Sequence, residues 1–188
     1  TDDLAIEQTY EIMNGLKVIS NGFPSYSVDM MLGGSLVADV TLTDHLYQTI
    51  EENPAYCGVA VSSSSVDASE ASVNVKLHSE IDASWRVGVY VVEDKVKYHQ
   101  NNNGKYIESY THRHVVRRIV SASYKGDRIG GKVTPADTEI SADYKIDVDP
   151  VWNLENTYVY VLAIDSNGYV NNMNHCLLNG GESEYKVK

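Results

Sequence analysis

The chain has 188 residues, enough for one large domain or two small ones, and its 43% hydrophobic and 22% charged residues are typical of a folded protein. Its net charge of −11 argues against nucleic acid as the main partner. The sequence has no run of 18 apolar residues and therefore predicts no membrane-spanning helix.

The first 53 residues predict two helices around two strands. Apolar periodicity and turn residues predict a helix over residues 3–16, strands over 25–31 and 34–40, and a helix over 43–52. Leu42, Leu46 and Ile50 give the last helix an apolar stripe, and Pro54 ends it. Residues 1–53 carry 9 acidic and 1 basic side chains, net −8, against net −3 for residues 54–188. This shift predicts a domain boundary between residues 53 and 54.

After Pro54 the apolar period changes to two, which is typical of strands with one buried face. Seven strands are predicted, over residues 56–63, 71–77, 85–92, 112–123, 138–148, 157–164 and 169–178. Trp85 is predicted to be a core aromatic residue. Asn-Asn-Asn-Gly at 101–104 and Ser-Asn-Gly at 166–168 predict turns, the second closing a hairpin between the last two strands. Such closely spaced strands indicate an antiparallel β-sandwich of immunoglobulin-like character.

A basic cluster over residues 112–128 supplies the candidate ligand-binding residues, Arg113, Arg117 and Arg118. Arginines in an acidic chain are suited to recognising an anionic group or to docking against an acidic neighbour. The nearest acidic neighbour is the segment 1–53. One hypothesis is therefore that some of these arginines fix the geometry between the two segments, and the other is that they lie on a solvated strand face.

Cys57 and Cys176 are too far apart in sequence for a CxxC motif or a zinc site. Their pairing stays open between a disulfide and two buried free thiols. His99, His112 and His114 have no acidic or cysteine partner at a supporting spacing, so no metal site is expected. The sequence also lacks the GxSxG, HExxH, Walker and dinucleotide motifs, and no catalytic residue or cofactor is predicted.

The order helix, Gly-x-Pro strand, strand, helix resembles the second half of a thioredoxin-like domain, in which the matching proline is cis. Gly22-Phe23-Pro24 occupies that position. With WRVGVYVVED, YHQ, YTHRHVVRR and the glycines at 130–131, the chain resembles the outer-membrane lipoproteins related to a twenty-eight-kilodalton outer membrane protein of gut and oral anaerobes. The resemblance covers nearly the whole chain.

The resemblance implies an α+β chain: a partial thioredoxin-like α/β segment over residues 1–53, without the CxxC half, followed by an all-β, immunoglobulin-like antiparallel sandwich over residues 54–188. No catalytic residue is carried over. Only Pro24 transfers, as a structural cis-proline candidate. The resemblance also implies export to the cell envelope, outer membrane or cell surface of a Gram-negative bacterium. Membrane association is expected only through a lipid anchor outside this chain.

Two main hypotheses for function follow. The first is a non-enzymatic surface protein whose β-sandwich binds a protein or a glycan. The alternative is an accessory portion of a thiol–disulfide oxidoreductase whose CxxC lies upstream of this chain, and a third hypothesis is a structural spacer. Neither a cofactor nor a nucleic-acid partner is expected.

Overall fold

The computed structural model describes residues 4–22, 24–36 and 42–185. The first segment contains helices and one strand pair in the predicted order: α1 Thr9–Gly15, α2 Val18–Asn21, β1 Ser25–Val28, β2 Leu32–Ser35 and α3 Leu42–Glu52. The helix predicted over residues 3–16 is shorter and is followed by the separate turn of α2. No helix in the described ranges is long and apolar enough to cross a membrane.

The rest of the described chain is almost entirely strands. They are β3 Cys57–Ser63, β4 Glu70–Ser79, β5 Ala83–Glu93, β6 Val96–Asn102, β7 Lys105–His112, β8 Val115–Ile119, β9 Asp127–Thr134, β10 Thr138–Asp147, β11 Thr157–Ile164, β12 Val170–Leu177 and β13 Glu182–Ser183, with one 3-10 turn at Leu154–Asn156. One sheet has the order β10-β4-β3-β13, and the other has the order β12-β11-β5-β8 with β9 also paired to β5. All of the named strand pairs are antiparallel. The predicted α+β chain with a β-sandwich is confirmed.

The two sheets enclose a core made from the alternating side chains that the sequence predicts to face inward. Val59, Val75 and Val89 are among the side chains that form this cluster. Each buried valine contributes about 1.5–3 kcal/mol relative to an exposed one. Trp85 is 2% exposed, and its indole nitrogen donates to Ser79 Oγ at 2.8 Å. Its predicted place in the core is confirmed.

The predicted strand over residues 112–123 is confirmed only over β8, Val115–Ile119. β7 ends at His112 and β8 begins at Val115. Between them His114 has φ 52°, which breaks the extended backbone. The predicted hairpin between the last two long strands is confirmed: β11 pairs with β12, and Gly168 at φ 84° sits in the turn.

A second, smaller apolar cluster joins the first segment to the outer face of the β5 sheet. Its buried members are Tyr90, Val92, Ile119 and Tyr124, and its partly buried members include Ile6, Ile12, Leu16 and Met30. The contact is close, since a Cβ at Gly15 would lie 1.9 Å from the Tyr124 hydroxyl. The boundary predicted between residues 53 and 54 lies in the connection from α3 to β3, and the division into domains stays a prediction.

Asn171, a residue of β12, forms hydrogen bonds to the connection between α3 and β3. Its side-chain oxygen accepts from the backbone N–H of Tyr56 at 2.8 Å and of Cys57 at 3.1 Å. Its amide nitrogen donates to the Pro54 carbonyl at 2.9 Å and to Asn53 Oδ1 at 3.3 Å. One buried side chain therefore satisfies the backbone polar groups where the chain passes from α3 into the sandwich.

Pro24 is exposed, and its carbonyl accepts from the Leu36 N–H at 2.9 Å, which closes the β1–β2 pair. Phe23 lies outside the described residues, so the isomer of the Phe23–Pro24 bond is not described and the cis-proline stays a prediction.

Candidate binding surface on an exposed hairpin

One element stands apart from the sandwich. β6 and β7 form a two-stranded sheet and pair only with each other among the described strands. They are inserted between β5 and β8, whose ends meet at the Glu93–Val115 pair. We call residues 95–114 the exposed hairpin. The hairpin is an insertion outside the sandwich, because the strands before and after it already pair with each other.

The predicted Asn-Asn-Asn-Gly turn closes this hairpin. Asn103 and Gly104 have φ of 51° and 79°, the left-handed conformation that asparagine and glycine tolerate best. Asn101 Oδ1 accepts from the Gly104 N–H at 3.1 Å and braces the turn. The local sequence therefore specifies the hairpin even though little of it is buried.

Aromatic and imidazole rings line the exposed hairpin. His99 stacks on Tyr106, with ring centroids 5.6 Å apart and planes 27° apart. Tyr110 meets His112 edge-on at 4.9 Å. Tyr106 is 65% exposed and Tyr110 is 44% exposed. Such large exposed rings are typical of contact surfaces, since tyrosine combines an apolar body with a polar tip.

The exposed hairpin also has the opposite charge to the chain. It carries four cations, Lys95, Lys97, Lys105 and Arg113, and one carboxylate, Glu108, for a net charge of +3. The chain as a whole is −11, so the remainder is −14. No ion pair between described residues involves any of the four cations.

The three arginines predicted to bind a ligand lie in different surroundings, and their role in binding stays a prediction. Arg113 is exposed in the hairpin. Arg117 Nε donates to Glu93 Oε2 at 2.7 Å in a largely buried ion pair. Arg118 donates to the Asp147 carbonyl at 2.5 Å and lies over the Trp152 ring at 5.2 Å.

These contacts of Arg117 and Arg118 lie within the sandwich. The hypothesis that some of the basic residues fix the geometry between residues 1–53 and 54–188 stays a prediction. Contacts that join the two segments among the described residues include those of Asn171 and of the apolar cluster around Tyr124. An uneven charge distribution in the sequence indicated an attraction between segments, but arginine pairs with whichever acceptor the fold places nearest.

The structure has Cys57 and Cys176 as free, buried thiols, which is the second of the two alternatives. Burial, followed by the nearby Glu80 carboxylate, raises the pKa of Cys57 to about 12. Burial and then Glu182 raise the pKa of Cys176 to about 11. Both side chains are therefore protonated at neutral pH, and neither supplies the thiolate that thiol–disulfide exchange requires.

We expect neither thiol to react with Ellman's reagent at pH 8 while the chain is folded, because both are buried and protonated. Both should react after unfolding in guanidinium without a reductant. A folded chain that reacts within seconds, or an unfolded chain that shows no free thiol until it is reduced, would contradict this assignment.

The described residues hold no group of three or more His, Cys, Asp or Glu side chains placed to bind a metal ion. His112 instead lies with its Nε2 atom 3.3 Å from the His99 carbonyl oxygen. The contacts of His99 and His112 in the hairpin are thus with aromatic rings and backbone.

Sequence reasoning missed Lys97, Tyr106 and Tyr110 as candidate contact residues. A signal was present: residues 95–114 combine four cations, one carboxylate and an Asn-Gly turn in an acidic chain. The basic cluster was instead drawn over 112–128, where the structure uses Arg117 and Arg118 internally. The net charge of a sequence segment does not show which of its cations are accessible, because that depends on which of them form ion pairs in the fold.

A model of the family "Outer membrane protein Omp28" matches residues 16–180. The solved structure of HBP35 of Porphyromonas gingivalis superimposes with a TM-score of 0.69 at 18% sequence identity, over 91% of this chain and 58% of that one. This chain thus spans little more than half of HBP35, and at this identity the likeness shows the fold alone.

A domain of the outer membrane lipoprotein Omp28 from the same organism matches with a TM-score of 0.45 at 17% identity, over 66% of this chain and 89% of that domain. No curated protein matches. Since the family match covers most of the residues, this chain belongs to the Omp28 family of outer membrane proteins and is a protein of the cell envelope.

Proposed function

We propose that this chain is a non-enzymatic binding module of the bacterial surface, and that the exposed hairpin is the part that contacts a protein or glycan partner. The observation that carries the proposal is the position of β6 and β7, which pair only with each other among the described strands. A hairpin outside the sandwich that presents exposed rings, and cations without an ion pair to any described residue, is suited to recognition rather than to folding.

The charge of the hairpin supports the same proposal. A net +3 surface on a chain of net −11 gives a local field of opposite sign, which steers an anionic partner to this site and away from the rest of the molecule. Membrane association through a lipid anchor outside residues 1–188 belongs to the proposal as well, and the Omp28 domain from P. gingivalis is described as part of an outer membrane lipoprotein.

The test is a binding array of bacterial and host glycans and proteins probed with the chain and two variants. The hairpin variant carries Lys97→Gln, Lys105→Gln and Tyr106→Ala. The control variant carries Lys76→Gln, Lys132→Gln and Tyr47→Ala, which changes the same residue types at exposed positions elsewhere; Tyr47 is 66% exposed and Tyr106 is 65% exposed. We expect the control to bind as the chain does and the hairpin variant to lose at least tenfold in affinity, equivalent to about 1.4 kcal/mol.

Equal binding by the hairpin variant and the chain would remove the support for the hairpin as the contact surface. Loss of binding in both variants would mean that binding does not reside at the hairpin.

A further inference from the structure

We propose that the partner of the exposed hairpin is an anionic polysaccharide, bound with an acidic group on Lys97 and a sugar face on Tyr106. This inference rests on the proposed function and names the chemical class of its ligand.

The first step concerns the cations. Lys97 is exposed on β6, and Lys105 begins β7 beside the turn. No ion pair within the described ranges occupies either ammonium group. Elsewhere the same chain does pair its cations, as Lys145 with Glu70 at 2.8 Å and Arg117 with Glu93 at 2.7 Å. The hairpin lysines are thus available to sulfate or carboxylate groups, which form short charge-assisted hydrogen bonds with ammonium donors.

The second step concerns the face on which these groups lie. Exposure alternates along β6, with Lys97, His99 and Asn101 exposed and the residues between them half-buried. Tyr106 stands opposite Asn101 in the pairing register and stacks on His99. Lys97 and His99 are two positions apart, which is about 7 Å along a strand. Lys97, Asn101 and the stacked rings of His99 and Tyr106 therefore share one face, while Lys105, which pairs with Asn102, lies on the other face beside the turn.

The third step concerns what such a face recognises. The C–H groups of a sugar ring form an apolar surface that packs against an aromatic ring, and Tyr106 offers its ring with 65% of the residue exposed. An asparagine side chain both donates and accepts hydrogen bonds, as a sugar hydroxyl does. Asn102 and Asn103 are exposed beside the turn and add further amides. Ring, amide and cation together match an acidic sugar.

The same features argue against a protein partner. The fully buried centre of a protein interface is apolar and depleted of charge. The exposed large hydrophobic residues of the hairpin are two tyrosines, Tyr106 and Tyr110, with no aliphatic residue among them. A solvated strip of amides and lysines around single rings suits a polyhydroxylated chain better than an apolar protein patch.

The test measures binding of the full chain to five immobilised polymers: heparin, polygalacturonate, dextran, poly-glutamate and oligothymidylate. We expect binding to heparin or polygalacturonate, or to both, with the two distinguishing sulfate from carboxylate recognition. Dextran should not bind, and poly-glutamate and oligothymidylate should bind at least tenfold more weakly. Because counterions are released when cations bind a polyanion, Lys97→Gln should also reduce the slope of log affinity against log salt by about one.

Tyr106→Ala should weaken glycan binding about tenfold, as loss of a stacking ring does, and should leave the salt slope unchanged. The matched Tyr47→Ala variant should bind as the chain does. Poly-glutamate or oligothymidylate binding as tightly as the glycans would overturn the ligand class, and so would a Tyr106→Ala variant of full affinity. If the hairpin variant loses its array partner while neither acidic glycan binds, this inference fails and the proposed function stands. If array binding does not depend on the hairpin, both fail.

Discussion

Replacing Arg117 by methionine is expected to lower the free energy of unfolding by about 3–5 kcal/mol. Glu93, the partner of Arg117, is 5% exposed. Its carboxylate accepts from Arg117 Nε at 2.7 Å and from the Asn153 N–H at 3.0 Å. Without the guanidinium a buried carboxylate loses its countercharge, at the point where the end of β5 meets β8 and the 3-10 turn.

Urea denaturation measures this loss of stability, and two further variants serve as its controls. Arg113→Met, four residues earlier and exposed, should change stability by less than about 0.5 kcal/mol. The double variant Glu93→Met with Arg117→Met should recover much of the loss, because removing both charges leaves no unpaired one. A single Arg117→Met variant within 1 kcal/mol of the parent chain would contradict the ion pair, and so would a double variant less stable than the single one.

Replacing Asn171 by alanine is expected to cost about 2–4 kcal/mol. The change leaves the buried N–H of Cys57, and the partly buried N–H of Tyr56 and carbonyl of Pro54, without their partner. The loss falls on the connection between the first segment and the sandwich. We therefore expect limited proteolysis to cut between residues 53 and 57 of this variant sooner than in the parent chain.

The neighbouring Asn172 is the control. Its amide nitrogen donates to the Cys57 carbonyl at 2.8 Å, but it does not hold the N–H groups of the connection. Asn172→Ala should cost about 1 kcal/mol and leave the protease pattern unchanged. If the two variants were equally stable and equally cleaved, Asn171 would not be the residue that holds the connection between α3 and β3 in place.

The strands of the sandwich could be predicted from the sequence because each has one buried face. Val73, Val75 and Leu77 alternate with polar residues, and this period specifies both the strand and the side that packs. The bounds of α3 could also be predicted, from its apolar stripe and from Pro54. Where burial repeats with a fixed period, sequence and structure agree.

The exposed hairpin could not be predicted in the same way, because it has no deeply buried face. Val96, Tyr98 and Gln100 are half-buried and carry no continuous apolar pattern. Pairing between its two strands forms it instead, and that pairing depends on the Asn-Gly turn and on cross-strand neighbours. β9 was missed for a related reason, since DRIGGKVT holds two adjacent glycines that weaken a strand pattern.

The sequence also does not show which face of a helix packs against the rest of the protein. In α3, Leu46 and Ile50 are 45% and 68% exposed, while Thr49 is 1% exposed. The spacing correctly indicated a helix with two faces, but which face packs depends on the neighbouring β1–β2 pair. The candidate arginines show the same limit, since a basic cluster does not tell which members already have an internal acceptor.

The central claim is that the sandwich carries the fold and the exposed hairpin carries the binding. Its most direct test replaces residues 95–114 by one glycine, so that Asp94-Gly forms a two-residue turn between Glu93 and Val115, which already pair. The binding of this shortened chain to the array partners of the parent is measured after its melting temperature is shown to lie within about 2 °C of the parent, a change of roughly 1 kcal/mol or less. We predict an intact fold with no binding; full binding by a folded chain without the hairpin would contradict the account.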